Sequence, residues 1–335
     1  MKRLRLVYMG TPEFAVAPLK AIIEEGLSVE AVVTVPDKPA GRGQKLTPSA
    51  VKVFAMEKGL RVIQPVSLRD PAFINELKSI HPDLMVVVAF RILPYEVYAL
   101  PPLGTFNLHA SLLPAYRGAA PIQRAVMNGE SQTGLTTFLL DQGIDTGKIL
   151  FQKPMTISPE ETAGELHDRM MIESPEIVLA TIRFLVDGKI YSHPQLKLVN
   201  APQPPDASAY PPAPKILKSD CHIDWNRPVI EIFNQIRGLS PYPAAYIELQ
   251  APANEYFHLK IYKASIALAD LSELATLLKQ DYQPGDLICD GRKNLFIKAL
   301  DGFLKILEVQ LQGKRRLNIE EFLRGFKLEG HWKAL

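Results

Sequence analysis

The first 150 residues alternate short apolar runs rich in β-branched side chains with longer stretches in which apolar positions recur every three or four residues. Strands are expected near 4–9, 29–35, 84–90 and 104–108, and helices near 13–25, 48–58, 71–79 and 119–128. That alternation predicts a mainly parallel sheet flanked by helices, an α/β arrangement of Rossmann-like type. Ligands of such sheets bind beyond the carboxyl ends of the strands, where strand order reverses. Runs 134–140 and 149–155 predict two more strands around the loop Asp141-Gln142-Gly143-Ile144-Asp145-Thr146-Gly147. A helix over 162–186 closes this first unit, taken as residues 1–200.

Residues 201–214 carry prolines at 202, 204, 205, 211, 212 and 214, with Pro194 just upstream. Proline lacks an amide hydrogen and has a fixed φ, so this stretch is neither helix interior nor central strand, and it reads as a semi-rigid linker. Beyond it, a short helix is expected at 228–238. Short strands are expected near 244–249, 257–265, 285–289, 293–299 and 303–311, parted by Gly, Asp and Asn turns. Five or so short strands fit a small β-barrel of OB type over residues 215–335.

Composition narrows the class. With 335 residues and 47% hydrophobic side chains the chain is long enough for two modest cores. The longest apolar runs, such as Leu84 to Phe90, are strand length and well short of the roughly 18 residues of a membrane span. The opening Met1-Lys2-Arg3-Leu4-Arg5-Leu6-Val7 reads as a first strand rather than a signal peptide, because Arg5 interrupts the apolar stretch; a cytoplasmic location is expected. Cys221 and Cys289 are too few for a disulfide framework and lack metal-ligand spacing, so no metal site is expected. Charge does not segregate: residues 1–200 hold 21 basic against 20 acidic side chains, residues 201–335 hold 17 against 16. Any nucleic-acid contact must therefore come from local clusters.

The first strand-to-helix turn, Met9-Gly10-Thr11-Pro12-Glu13-Phe14, suits Thr11 as N-cap with Pro12 at the first helical position. It holds one glycine where the dinucleotide fingerprint needs three, which disfavours a nicotinamide oxidoreductase. Polar density rises at Asn107-Leu108-His109-Ala110-Ser111-Leu112-Leu113-Pro114-Ala115-Tyr116-Arg117-Gly118. Asn107 and His109 are two apart at a strand end, so their side chains share one side and can offer an amide donor and an imidazole to one substrate atom. Asp145, taken alone, reads equally well as a member of an ordinary Asx turn or of a site; brought beside a histidine, it can orient the ring and favour its protonated form.

These segments resemble formyltransferases that use 10-formyltetrahydrofolate. The matching stretches are Gly10 to Phe14, Pro36 to Gly43, Gln64 to Leu68, Asn107 to Gln123, Asp141 to Gly147, Cys221 to Trp225 and Gln310 to Lys314. The resemblance implies a catalytic trio of Asn107, His109 and Asp145, and a folate-binding segment Ser111, Leu112, Leu113 and Pro114. The Pro36 to Gly43 loop and the carboxyl-terminal domain are similar to the tRNA-directed branch. That implies transfer of the formyl group to the amine of an initiator methionyl-tRNA, with the second domain binding tRNA. Lys38, Arg42 and Lys45 are then candidate tRNA contacts, as are Lys314 and Arg315, whose cluster reads equally as a solvated turn. Two departures from the family pattern stand out. Phe90-Arg91-Ile92-Leu93-Pro94 lacks the glycine usual before Ile-Leu-Pro in a segment that lines the pterin pocket, and Pro241-Tyr242-Pro243 has Tyr where Trp is common. The rival within the class is a folate-dependent formyltransferase acting on a sugar nucleotide or another small amine; outside it, an RNA-binding module on an inactive scaffold.

Overall fold

The computed structural model describes residues 4–40, 45–188, 196–204, 206, 208–252, 254–267, 281–328 and 330–335. The chain divides into two compact units. The first comprises Met1–Pro121, Gln132–Thr156 and His167–Ala213; the second comprises Ile122–Ser131, Ile157–Leu166 and Pro214–Leu335.

The first unit is built on an eight-stranded mixed sheet. Its strands are β1 (Leu6–Gly10), β2 (Val29–Val33), β5 (Val62–Ile63), β6 (Leu84–Val88), β7 (Thr105–His109), β8 (Gln132–Leu139), β9 (Ile149–Thr156) and β10 (Lys197–Ala201), in the order β10-β9-β8-β7-β6-β1-β2-β5. The strands β1, β2, β5, β6 and β7 run parallel, while β8, β9 and β10 continue antiparallel from β7. From β1 the chain winds outward through β2 to β5, then crosses back to lay β6 on the other side of β1. Strand order therefore reverses between β1 and β6, and the carboxyl ends of β1, β6 and β7 face the place where such sheets bind ligands.

All five residues of β1 and of β6 are buried, as continuous apolar runs must be when a parallel strand is covered on both faces. One core gathers Val7, Met9, Val33, Met85 and Val87 from the strands with Phe73 and Leu77 from the helix Pro71–Ile80. That helix starts where its sequence directs: the Asp70 carboxylate accepts the Ala72 amide hydrogen at 2.9 Å and Pro71 fills the first position. On β9, Lys153 is 2% exposed and is paired with Glu173 and Glu176 of the helix Ala163–Asp187.

Several short elements escaped the periodicity reading. These are β5, β10, the helical turn Tyr95–Tyr98, and a hairpin of β3 (Lys38–Ala40) and β4 (Lys45–Thr47) inside the basic loop. The expectation for Thr11 fails. Pro12 is the N-cap of a short 3-10 helix, Glu13–Ala15, whose first free carbonyl is closed by the Ala15 amide at 3.0 Å, and Thr11 Oγ1 has no hydrogen-bond partner among the described residues.

The second unit is an antiparallel, nearly closed barrel. Its strands are β11 (Ala245–Gln250), β12 (Tyr256–Ile266), β13 (Leu287–Cys289), β14 (Leu295–Lys298), β15 (Phe303–Leu311), β16 (Leu317–Asn318) and β17 (Lys333–Ala334), ordered β13-β14-β15-β12-β11-β17 with β16 on β15. The Ala334 amide donates to the Gly285 carbonyl at 2.8 Å, bringing the last strand against the start of β13. Inward positions alternate along β11, where Ala245, Ile247 and Leu249 are buried, and join Trp225, Ile232, Ile236, Leu259, Ile261, Ile306 and Val309 in one core. The helix Val229–Leu239 forms near its expected place, and a helix at Ile319–Gly325, capped by the Asn318 side chain on the Glu321 amide, was not foreseen.

Candidate active site

β7 ends at His109, so both Asn107 and His109 stand at the carboxyl end of a parallel strand, two residues apart. His109 is 6% exposed and lies edge-on to Phe138. Its Nε2 is 2.8 Å from the Tyr116 carbonyl oxygen. A carbonyl only accepts, so Nε2 carries a hydrogen and donates it. Nδ1 faces Asp145, whose Oδ2 is 3.7 Å away, within ion-pair reach and beyond a direct hydrogen bond. The same Oδ2 accepts the Gly118 amide hydrogen at 2.9 Å. The Asn107 carboxamide is half-buried and, among the described residues, unpartnered.

The two loops that carry these contacts are held in unusual shapes. Tyr116 and Asp145 both adopt left-handed backbone conformations, at φ of 60° and 55°, which cost energy in any residue with a Cβ and persist only where surrounding contacts impose them. Gly118 sits at φ of 128°, and a Cβ there would stand 2.4 Å from the Ala213 carbonyl oxygen, so only glycine fits. The proline-rich segment packs along this loop. Tyr116 donates its amide hydrogen to Pro211 O at 2.6 Å, Ala213 to Arg117 O at 2.8 Å, and Ala120 to Ala213 O at 3.2 Å.

The other residues singled out from the sequence lie as follows. Ser111 is fully buried and its hydroxyl donates to the Ala115 carbonyl at 2.7 Å, so its hydrogen is spent on the loop itself. Leu113 is buried, donating its amide hydrogen to Thr136 Oγ1 at 3.2 Å and accepting from Gln152 Nε2 at 2.7 Å; Leu112 and Pro114 are half-buried. Lys38 is exposed on the β3–β4 hairpin, Lys45 begins β4, and Arg42 lies outside the described residues. Lys52, from the same basic stretch, is bonded to Asp37 at 2.7 Å, and this bond, with one from Gln64, holds the Asp37 carboxyl below its ordinary pKa. Lys314 and Arg315 are exposed in the turn between β15 and β16.

A cleft of about 360 Å³ opens beyond the end of β6, between Val66, Ser67, Leu68 and Arg69 on one side and, on the other, Arg91, Ile92, Leu93 and Pro94 of the segment that the resemblance assigns to the pterin pocket. Arg91 joins its walls, donating to Val66 O at 2.9 Å and Pro65 O at 2.8 Å. Its Nε is buried without a hydrogen-bond partner, and burial lowers the guanidinium pKa from its ordinary value. No cluster of three or more His, Cys, Asp or Glu side chains with metal-holding geometry occurs among the described residues, and no helix among them is long and apolar enough to cross a membrane.

Known proteins place this geometry in context. Residues 2–182 match the formyl transferase family model, and residues 215–327 match that of the formyl transferase C-terminal domain. The chain is 47% identical over 325 residues to the methionyl-tRNA formyltransferase of Parabacteroides distasonis, covering 97% of this chain and 96% of that one. It is 45% identical over 334 residues to the methionyl-tRNA formyltransferase of Flavobacterium johnsoniae, covering the whole of both. Among solved structures, a sugar 3N-formyl transferase, WlaRD, shares the fold at a TM-score of 0.61 and 21% identity, over 94% of this chain and 100% of that one.

Proposed function

The chain belongs to the formyl transferase family, and from that premise we propose that it moves the formyl group of 10-formyltetrahydrofolate onto the α-amino group of an initiator methionyl-tRNA. The observation that carries this reading is the convergence of Asn107, His109 and Asp145 at the carboxyl end of β7, in a chain nearly half identical, along its whole length, to enzymes named for that reaction.

The folate co-substrate supplies a formyl carbon bound to a nitrogen that leaves as an amine. The cleft between 66–69 and 91–94 is the place for its flat ring system, with apolar Val66, Ile92 and Leu93 among its walls. The α-amino group titrates near 7.7–8.0 and needs no strong base to act as nucleophile. The residues' task is the charge on the formyl oxygen as the amine adds. Asn107 donates from its carboxamide and His109 from Nδ1, the ring nitrogen not spent on the Tyr116 carbonyl, each contribution of this kind being about 3 to 4 kcal/mol. Asp145, 3.7 Å from Nδ1, orients the ring and leaves space for proton movement between amine and departing nitrogen. The bond from nitrogen to formyl carbon forms, the bond to the folate nitrogen breaks, and one proton passes from the first nitrogen to the second.

The tRNA is held by Lys38, Arg42 and Lys45 of the basic loop and by Lys314 and Arg315 of the barrel, residues 215–335 serving as the tRNA-binding domain. The reaction belongs to translation initiation, hence to the cytoplasm. The sugar-nucleotide alternative rests on a likeness of fold alone at 21% identity. The test is to mix the purified protein with 10-formyltetrahydrofolate and either methionyl-tRNA or amino-sugar nucleotides: formylmethionyl-tRNA is the expected product, and formylation of the sugar alone overturns the assignment.

A further inference from the structure

Gln203 lies in the proline-rich segment, outside both loops of the site, and its side-chain amide is fully used. Nε2 donates to the carbonyl oxygens of Asp145 at 3.0 Å and Gly147 at 2.8 Å, while Oε1 accepts from Arg117 Nε at 3.1 Å and Nη2 at 2.7 Å. Two donors and two lone pairs are all that a glutamine amide has. One side chain thus ties the Asp141–Gly147 loop to the residue preceding Gly118, the residue whose amide holds the Asp145 carboxylate.

Two further observations give this clamp direction. Asp145 is held at φ of 55°, a strained conformation that an outside contact must offset, and Gln203 bonds the carbonyl of that very residue. The segment carrying Gln203 also holds the other partner of His109, since Pro211 O accepts from Tyr116 N at 2.6 Å while Tyr116 O accepts from His109 Nε2. Pro202 and Pro204 flank Gln203 and restrict its backbone in advance, so little entropy is lost in aiming it.

We propose that Gln203 is a positioning residue for formyl transfer, acting through Asp145 by fixing its carboxylate relative to His109. This rests on the reading of Asp145 as the carboxylate that orients His109 for formyl transfer. Gln203→Glu is the discriminating variant: nearly isosteric, it keeps an acceptor for Arg117 and has no N–H for the two carbonyls. Its kcat should fall about 10- to 100-fold, as displacement of a reacting constellation by a fraction of an ångström to an ångström does, with KM for both substrates within about threefold of wild type. Gln203→Ala should behave alike. In the Asp145→Asn background, either change should lower kcat less than twofold further, because its route to the ring is already cut. Wild-type kcat in Gln203→Glu, or full additivity with Asp145→Asn, overturns the proposal. Asp145→Asn with undiminished kcat overturns instead the role of Asp145 on which it stands. Melting temperatures of the five variants, three single and two double, separate these results from unfolding, which would lower kcat in proportion to the folded fraction and leave no coupling.

Discussion

His109 Nε2 and the Tyr116 carbonyl oxygen lie 2.8 Å apart, and that contact commits one ring nitrogen as a donor while leaving the other turned toward Asp145. The ring is thereby fixed in plane and tautomer by a backbone group seven residues on, within a loop that a β-strand end and a glycine hold in place. Replacing His109 by Ala should abolish turnover and leave the sheet intact, since what is lost is an edge-on contact with Phe138, one hydrogen bond to a backbone carbonyl and the approach to Asp145, none of them a bond of the sheet. Asn107→Ala should reduce kcat by about two to three orders of magnitude, as loss of one oxyanion donor does. Single-turnover rates at saturating substrates are the measurement; near wild-type turnover in His109→Ala removes the mechanism.

Asp145→Asn separates charge from shape. Asparagine tolerates a φ of 55° and its amide oxygen can still accept from the Gly118 amide, so the fold should melt within a degree or two of wild type. kcat should nevertheless drop about 10²- to 10⁴-fold, the range of a lost acid-base partner. If Asp145 merely shapes a turn, the variant retains its activity. Asp145→Ala is the poorer test, because it adds backbone strain to the loss of charge.

Much of this arrangement was legible in the residues themselves. β1 and β6 announce themselves as continuous apolar runs, and Asn107 and His109 share a side by strand periodicity alone. What stayed hidden depends on partners far away in the chain. β5 has two residues and exists because β2 offers it an edge; Thr11 looks like a cap until Pro12 closes the turn one residue later. Gln203 looks like a spacer between prolines because its four bonds reach residues 56 to 86 positions away. Arg91 read as a missing glycine until its bonds to Pro65 and Val66 made it a cleft wall.

Lys153 offers a test of the packing rather than the chemistry. Burial alone would lower its ammonium pKa, but the bonds to Glu173 and Glu176 leave it raised above the ordinary value. A raised folded-state pKa stabilises fully below the unfolded pKa of about 10.4 and loses that contribution as pH rises through the folded value. Lys153→Met leaves two half-exposed carboxylates without their counter-ion and should cost about 1–3 kcal/mol at pH 7–9. Denaturant unfolding across pH should show the gap between wild type and variant shrinking above about pH 10.4. A gap that widens there contradicts the sign.

The basic stretch after β2 makes the last prediction, because the structure divides its cations into two kinds. Lys52 is bound to Asp37, which Gln64 also holds, so its charge is neutralised at home and its ammonium serves the loop. Lys38 is exposed on the hairpin. A phosphate contact releases counterions from nucleic acid, and each one lost lowers the slope of log affinity against log salt by about one unit. Lys38→Ala and Arg42→Ala should therefore raise KM for methionyl-tRNA at low salt, flatten its salt dependence by about one unit each, and leave the KM for the folate unchanged. Lys52→Ala should leave the slope as it is and instead lower stability, modestly, since Asp37 loses its partner; that loss should vanish in acid, as pH falls through the depressed pKa of Asp37. Steady-state kinetics of the three variants over a salt series decide the matter. Equal slopes for Lys38→Ala, Arg42→Ala and wild type sink the loop as a tRNA contact, and a flattened slope for Lys52→Ala overturns the division between its cations.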